Sequence, residues 1–155
     1  MRRRWRAPLD PLRLSAVRGA LLTAEVEIEI PFQDLDPMQI AWHGNYFRYF
    51  EAARVKLLRA IRYDYPEMQA SGYSWPLIEA HVRFVQALRY GQLIRVVAGL
   101  MEWENRLKLH YLVQDAASGK RLTTGYTIQC AIEVQSGELQ LVSPPALLER
   151  LKGYI

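Results

Sequence analysis

Between Trp75 and Val134 the chain reads as four extended stretches whose connections are too short to hold a helix. Trp75 to Leu88, Gln92 to Trp103, Arg106 to Gln114 and Arg121 to Val134 are rich in β-branched and aromatic residues, the types that fit a pleated surface. They are linked by Arg89-Tyr90-Gly91, by Glu104-Asn105, and by Asp115 to Lys120 with its Ser118-Gly119 pair; Ser136-Gly137 ends the last one. A parallel pair needs a crossover of about a dozen residues or more, so successive strands here are expected to be antiparallel neighbours. Ahead of them Glu25-Val26-Glu27-Ile28-Glu29-Ile30 alternates strictly. That predicts a fifth strand with Val26, Ile28 and Ile30 on its buried face, ended by Pro31.

Only one long stretch carries the helical period. Phe47, Phe50, Ala53 or Arg54, Leu57, Leu58 and Ile61 recur at spacings of three and four, with Arg48, Lys56, Arg59 and Arg62 largely outside the apolar stripe. Asn45 or a neighbour is placed to cap its start. Tyr63 to Gly72 is a connector with room for a short helical turn, and Pro144-Pro145 opens a short C-terminal helix, Ala146 to Leu151. One long helix against five antiparallel strands is an α+β domain with the helix on the apolar face of the sheet.

Half of the 155 residues are apolar, enough for one core, and no apolar run is long enough to span a membrane. The net charge of +4 is unevenly placed: residues 1–18 carry six arginines against Asp10 alone, while the other 137 carry 14 basic and 15 acidic side chains. A near-neutral body argues against a nucleic-acid surface. Residues 1–22 are therefore expected to be a basic, disordered extension or the product of an early start codon, with a basic arm for anionic lipid or nucleic acid as the minor reading. Residues 23–155 form the domain. The single cysteine, Cys130, excludes an internal disulfide framework; it is expected to be a buried core thiol, with a catalytic thiol as second reading, and a cytoplasmic location fits. His43, His81 and His110 show no metal-ligand spacing, and there is neither a Gly-rich phosphate loop nor a Gly-x-Ser-x-Gly elbow. No metal or dissociable cofactor is expected.

The chemistry concentrates between Phe32 and Phe47. Asp34 and Asp36 lie just upstream of a helix start, and His43 lies at it. Unpaired N–H groups at a helix N-terminus favour negative charge and can stabilise an oxyanion on an attacked carbonyl. A nearby carboxylate can attack that carbonyl or deprotonate a water. On composition alone, an Asp in this position is also an ordinary cap or loop residue.

Asp34-Leu35-Asp36-Pro37, Ile40-Ala41-Trp42-His43, Asn45-Tyr46 and Glu51-Ala52-Ala53-Arg54 resemble the signature of the 4-hydroxybenzoyl-CoA thioesterase and YbgC-type acyl-CoA thioesterase families. The resemblance extends over roughly residues 24 to 142. Trp42 to Tyr46, Tyr63 to Pro66 and Glu102 to Arg106 are similar to thioesterases that accompany aryl-polyene biosynthesis. It implies a hotdog fold, a five-stranded antiparallel sheet wrapped around one long central helix, and hydrolysis of acyl or aryl thioesters. By the same resemblance Asp36 is the catalytic carboxylate, as nucleophile or general base, and the backbone N–H at His43 polarises the thioester carbonyl, while its imidazole can position substrate or water. Asp34 orders the loop. Trp42 and Tyr46 contact substrate, Tyr46 near its path or against a partner subunit. Glu51 faces the pocket or pairs with Arg54. The family has glycine where this chain has Gln39, which implies a reshaped acyl pocket, a side chain that holds water, or reduced activity.

Related enzymes grip the CoA phosphates with basic residues after Glu-Trp. Here Glu104-Asn105 follows Glu102-Trp103, and Arg106 and Lys108 come later, so the substrate is expected to be an acyl-CoA or an acyl carrier protein thioester. For a carrier protein, Arg48, Arg59, Arg62, Arg83 or Arg89 can meet its acidic helix. The family's subunits pair edge to edge with the site between them, which implies a homo-oligomer, a dimer or a dimer of dimers. A hotdog hydratase or dehydratase and a non-catalytic acyl-binding module are the alternatives.

Overall fold

The computed structural model describes residues 15–155. In chain order the elements are β1 (Thr23–Glu29), α1 (Tyr46–Ala60), α2 (Tyr65–Ala70), β2 (Tyr73–Ser74), β3 (Leu77–Phe84), β4 (Leu93–Glu102), β5 (Leu107–Asp115), β6 (Arg121–Gln129), β7 (Ile132–Glu133) and α3 (Pro145–Leu151). Five strands form one antiparallel sheet in the order β1-β4-β5-β6-β3, and β2 pairs with β7 apart from it.

That order overturns one expectation. β3 and β4 are not neighbours: β3 pairs with β6 at one edge, while β4 pairs with β1 near the other. Arg89-Tyr90-Gly91 is thus no hairpin turn but the end of a crossing segment. β3 stops at Phe84, and the chain then runs past the end of the sheet, fixed by Val85 and Gln86 N–H groups on the Leu122 carbonyl and by Gly91 N–H on the Ile30 carbonyl. The tighter links behave as read, with β4–β5 and β5–β6 antiparallel neighbours. The fourth predicted strand breaks after Gln129, whose amide donates to the Trp75 carbonyl at 2.6 Å, and β7 leaves the sheet to pair with β2. Cys130 sits at this break and is only half-buried, not a core thiol.

The inner face of the sheet wraps α1. The helix buries Tyr46, Tyr49, Phe50, Ala53, Leu57 and Leu58, whereas Phe47, expected in the stripe, is 44% exposed. Phe50 stacks on Tyr111 of β5 at 4.4 Å. Gly125 of β6 makes room for it: a Cβ there would lie 2.5 Å from the His81 carbonyl oxygen and 2.8 Å from the Phe50 ring. One helix enclosed by a five-stranded antiparallel sheet is the hotdog arrangement.

The expected extension over residues 1–22 divides. Residues 15–22 belong to the fold: Val17 packs with Val97 and Leu112 on the outer sheet face, and Leu21 and Leu22 bond with Leu100 as a continuation of the β1–β4 ladder. Residues 1–14 lie outside the described residues. Among the described residues no helix is long and apolar enough to cross a membrane.

Candidate active site

The loop between β1 and α1 is built in two tiers. A short 3-10 turn, Phe32–Asp34, follows Pro31 and leads into a tight hairpin closed by the Leu35–Ala41 bridge. At its tip the Asp36 N–H donates to the Ile40 carbonyl and the Gln39 N–H to the Asp36 carbonyl, both at 2.9 Å. Asp36 and Pro37 are the residue types a turn favours at its first two positions, and Asp36 Oδ1 tightens it by accepting the Met38 N–H at 2.8 Å. Gln39 closes the turn at φ 63, in the left-handed region, the conformation for which glycine is suited. The family's glycine therefore answers a backbone need that Gln39 meets with strain.

Asp34 anchors the second tier. It is 2% exposed; Oδ2 accepts the Tyr49 hydroxyl at 2.7 Å, and Oδ1 accepts Arg48 Nη1 at 3.2 Å. Its carbonyl accepts the Trp42 N–H and Asn45 Nδ2, each at 2.9 Å. Burial, then the Asp34 carboxylate, push the Tyr49 phenol well above its usual range, so it stays a donor. One residue thereby ties both ends of the hairpin to α1, in the loop-ordering role expected of Asp34.

The helix start differs from expectation. A 3-10 turn, His43–Asn45, runs directly into α1; Trp42 occupies the cap position without a side-chain bond, and Asn45 is itself helical. Its side chain points back to Asp34 and caps nothing. The His43 and Gly44 N–H groups thus have no protein acceptor among the described residues. The Trp42 ring lies over Gly44, where a Cβ would come within 2.3 Å of it.

Asp36 and His43 line one cleft of about 200 Å³. Met38, Ile40, Ala41 and Tyr46 complete one bank, and Phe84, Val85, Gln86 and Ala87 of the crossing segment form the other. The Ala41 N–H bond to the Leu88 carbonyl and the Ile40–Arg89 bridge hold the two banks together. Tyr46 is 2% exposed, with its ring edge-on to Phe84 at 4.8 Å. Burial raises its phenol above the ordinary value, which makes it a wall and hydrogen-bonding group and not a base. Nothing in the sequence marked Phe84 to Ala87 as a site wall, because they read as strand.

The other expected site residues fall elsewhere within the subunit. Gln39 and Trp42 are exposed and do not line the cleft. Glu51 pairs with Arg54 and borders a second cavity of about 270 Å³ between α1 and the sheet, with Trp75, Tyr111 and Gln129. That cavity runs from Leu77 back to Phe50 and Tyr111, level with Val82, and the Leu77–Gln129–Leu107 register puts the start of β5 at the opposite end of the sheet from Phe84, seven strand residues or roughly 23 Å away. Arg106 there grips Glu102 through two nitrogens, at 2.6 and 3.2 Å, which holds that carboxyl below its usual range. Lys108 lies 3.9 Å from Glu102 and over the Tyr126 ring.

One long helix enclosed by a five-stranded antiparallel sheet sets the chain in the hotdog class. The family model for the thioesterase-like superfamily matches residues 30–151, and the chain belongs to that superfamily, a group of thioester hydrolases. It is 27% identical over 128 residues to a putative esterase of Synechocystis, covering 82% of this chain and 77% of that protein. It is 29% identical over 66 residues to a putative acyl-CoA thioesterase of Bacillus subtilis, covering 43% of this chain and about half, 48%, of the relative. Among solved structures, a 1,4-dihydroxy-2-naphthoyl-CoA thioesterase from Synechocystis superposes with a TM-score of 0.74 at 16% identity, covering 83% of this chain and 95% of that one; this likeness is one of fold.

Proposed function

We propose that the cleft hydrolyses acyl or aryl thioesters, carried on CoA or on an acyl carrier protein, with Asp36 as the reacting carboxylate. The observation that carries this reading is the shared cleft: Asp36 and the uncapped helix start at His43 line the same space. A thioester carbonyl directed at the free His43 and Gly44 N–H groups gains donors aimed at the oxygen that becomes negative. Asp36 Oδ1 is held by the turn, and Oδ2 has no protein partner among the described residues. That oxygen either adds to the carbonyl carbon or takes a proton from an attacking water. The C–S bond then breaks and the sulfur leaves as thiol after gaining a proton; by the first route an acyl–Asp36 anhydride remains, which water hydrolyses to the free acid and the restored carboxylate, and by the second the water oxygen is already in the acid that is released.

The assembly belongs to the same reading. β3 is an edge strand with Leu77, Ile78, Phe84 and Val85 all about half exposed, and the cleft alone is smaller than most ligand sites. A second copy paired antiparallel along β3 would bring its Leu77 end, with Glu51, Arg106 and Lys108, beside this subunit's Phe84 end. A monomer by light scattering at micromolar concentration would contradict that pairing.

The test of function is thiol release from a panel of CoA and carrier-protein thioesters, with Asp36→Asn alongside. Wild type should turn over at least one class and Asp36→Asn should lose about 10²-fold or more. Equal, slow rates for both on every substrate sink the reading. Transfer of ¹⁸O from solvent into Asp36 over repeated turnovers separates attack by the carboxylate from base catalysis.

A further inference from the structure

β3 is the last strand of the five-stranded sheet, and nothing among the described residues pairs with its free edge. Ala80, Val82 and Phe84 face the helix: Thr127 and Gly125, opposite the first two, border α1, and the Phe84 ring meets Tyr46. Glu79, His81 and Arg83 alternate with them and so point to the outer face, where all three are exposed. Glu79 and Arg83 have no ion-pair partner among the described residues. Nor can they reach each other, being four strand residues or roughly 13 Å apart.

A second copy that continues the sheet antiparallel must set helix-facing residues opposite helix-facing residues, since a slip of one residue turns every side chain to the wrong face. The two-fold axis then passes through a residue facing its own copy, and the charges discriminate among the choices. An axis at Glu79 or at Arg83 sets like charges directly opposite. An axis at Ala80 leaves Arg83 against the apolar Leu77 end, and one at Val82 sets it against His81. With the axis at His81, Glu79 of each copy faces Arg83 of the other, twice over. On the helix side the same register sets Ala80 against Val82, small against large.

We propose that β3 pairs with β3 of a second copy in the register centred on His81, locked by two Glu79–Arg83 ion pairs on the outer face. The inference rests on the edge pairing given above and deepens it by fixing which residues meet. The His81 ring suits the axis: it stacks on Tyr126 of its own β6 at 5.3 Å and 9°, so two such rings lean back from one another. The ends of the strand match as well. Phe84 and Val85 of each copy meet the Leu77–Ile78 end of the other, and all four side chains are about half exposed in the single chain. Phe84 and Val85 are also a wall of the Asp36 cleft, so this register makes Leu77 and Ile78 of the second copy the continuation of that wall. The self-complementary run Glu79-Ala80-His81-Val82-Arg83 is thus a code for a second copy of this chain.

The experiment compares wild type, Glu79→Arg, Arg83→Glu, the Glu79→Arg/Arg83→Glu swap and an equimolar mixture of the two single variants, all as the full chain. Dimer dissociation is read by analytical ultracentrifugation, and thiol release is followed on the same samples. Each single variant sets like charges opposite one another twice and should raise the dissociation constant at least about tenfold. The swap and the mixture both restore opposite charges and should return to within about threefold of wild type. In a Cys130→Ser background, oxidised His81→Cys should link two chains, because directly opposite Cα atoms stand about 4.5–5.5 Å apart, within disulfide reach. Ala80→Cys lies diagonally from its own copy and should not link. A link through Ala80→Cys in place of His81→Cys overturns the register and leaves β3 pairing intact. Single variants that dimerise as tightly as wild type, or a mixture as dissociated as its components, overturn the ionic lock. A monomeric wild type overturns the pairing itself. Dissociated variants that keep the wild-type turnover overturn the second copy's share in the cleft wall. Wild type that dimerises in this register and hydrolyses no thioester removes the hydrolase reading and leaves the register standing.

Discussion

Replacing Tyr49 by Phe removes a single hydroxyl 15 residues from Asp34, and the structure gives the consequence. The hydroxyl donates at 2.7 Å to the Oδ2 of a carboxylate that is 2% exposed, so water cannot take its place without opening the loop. A hydrogen bond to a charged group contributes about 1.5–3 kcal/mol. At about 2 kcal/mol the melting temperature of a 155-residue chain should fall by roughly 4–8 °C. Activity should fall as well, because Asp34 holds Trp42 and Asn45 through its carbonyl and so fixes the hairpin that carries Asp36. About tenfold in kcat/KM is expected for a slack of a fraction of an ångström. In an Asp34→Ala background the hydroxyl has no acceptor, and the same Tyr49→Phe change should then cost little. The resulting cycle isolates a coupling of about 1.5–3 kcal/mol. A Tyr49→Phe protein with its melting temperature within about 1 °C of wild type and unaltered kcat/KM would refute the view that Asp34 is the anchor of the catalytic loop.

Gln39→Gly should raise stability by at most about 1 kcal/mol, since relief of left-handed strain is partly offset by glycine's greater unfolded-state entropy. It should leave turnover within a few-fold, because the Gln39 side chain does not line the cleft; thermal melts and thiol release check both. Gly125→Ala should destabilise by about 1–3 kcal/mol in urea unfolding, as the new methyl meets the rigid His81 carbonyl and the Phe50 ring. Hydrogen bonds from Gln92 and the Ser118 segment hold the Asp115 carboxyl down at about 2. Its contribution to stability is complete above the ordinary carboxylate value of about 4 and is lost as pH falls through about 2. The stability gap between wild type and Asp115→Asn should close over that window in acid unfolding titrations.

Local patterns carried most of the fold, and long-range register carried what they missed. The alternation of β1 and the hairpins at Glu104-Asn105 and Asp115 to Lys120 are visible in a few residues each. The β3–β4 crossing is not, because Arg89-Tyr90-Gly91 looks the same whether it closes a hairpin or ends a segment that passes under the helix start. That one ambiguity hid the second bank of the cleft. It also hid the distance of Arg106 and Lys108 from Asp36, which only the β3–β6–β5 register reveals. The helical stripe was legible from Phe50 to Ile61 and departs only in its first turn, where Phe47 looked like core by type but Tyr46 and Tyr49 are buried, each with a specific neighbour, Phe84 for one and Asp34 for the other. The placing of Asp36 and His43 on one loop ahead of the long helix was legible locally, whereas their proposed roles and the glycine preference at Gln39 came only from the resemblance to the family.

The least stable-looking feature of the site explains why the rest of the loop is so firmly tied. A side-chain cap commonly contributes about 1 kcal/mol to a helix, and Asn45 stands within reach of that role. Its amide goes instead to the Asp34 carbonyl, and the first N–H groups of the helix stay open toward the cleft. A cap there would occupy the donors that a developing oxyanion needs. The stability forgone at the helix start is offset by the Asp34 cluster, which anchors the same helix from the side with Tyr49, Arg48 and Asn45 and leaves its end free. Gln39 follows the same pattern in the backbone: its left-handed conformation closes a turn in which one Asp36 oxygen accepts the Met38 N–H and the other has no partner among the described residues, as the proposed reaction requires. Under the proposed mechanism, reactivity and local stability are thus opposed at two places, the helix start and Gln39, and the buried Asp34, two residues before the proposed reacting carboxylate, reconciles them.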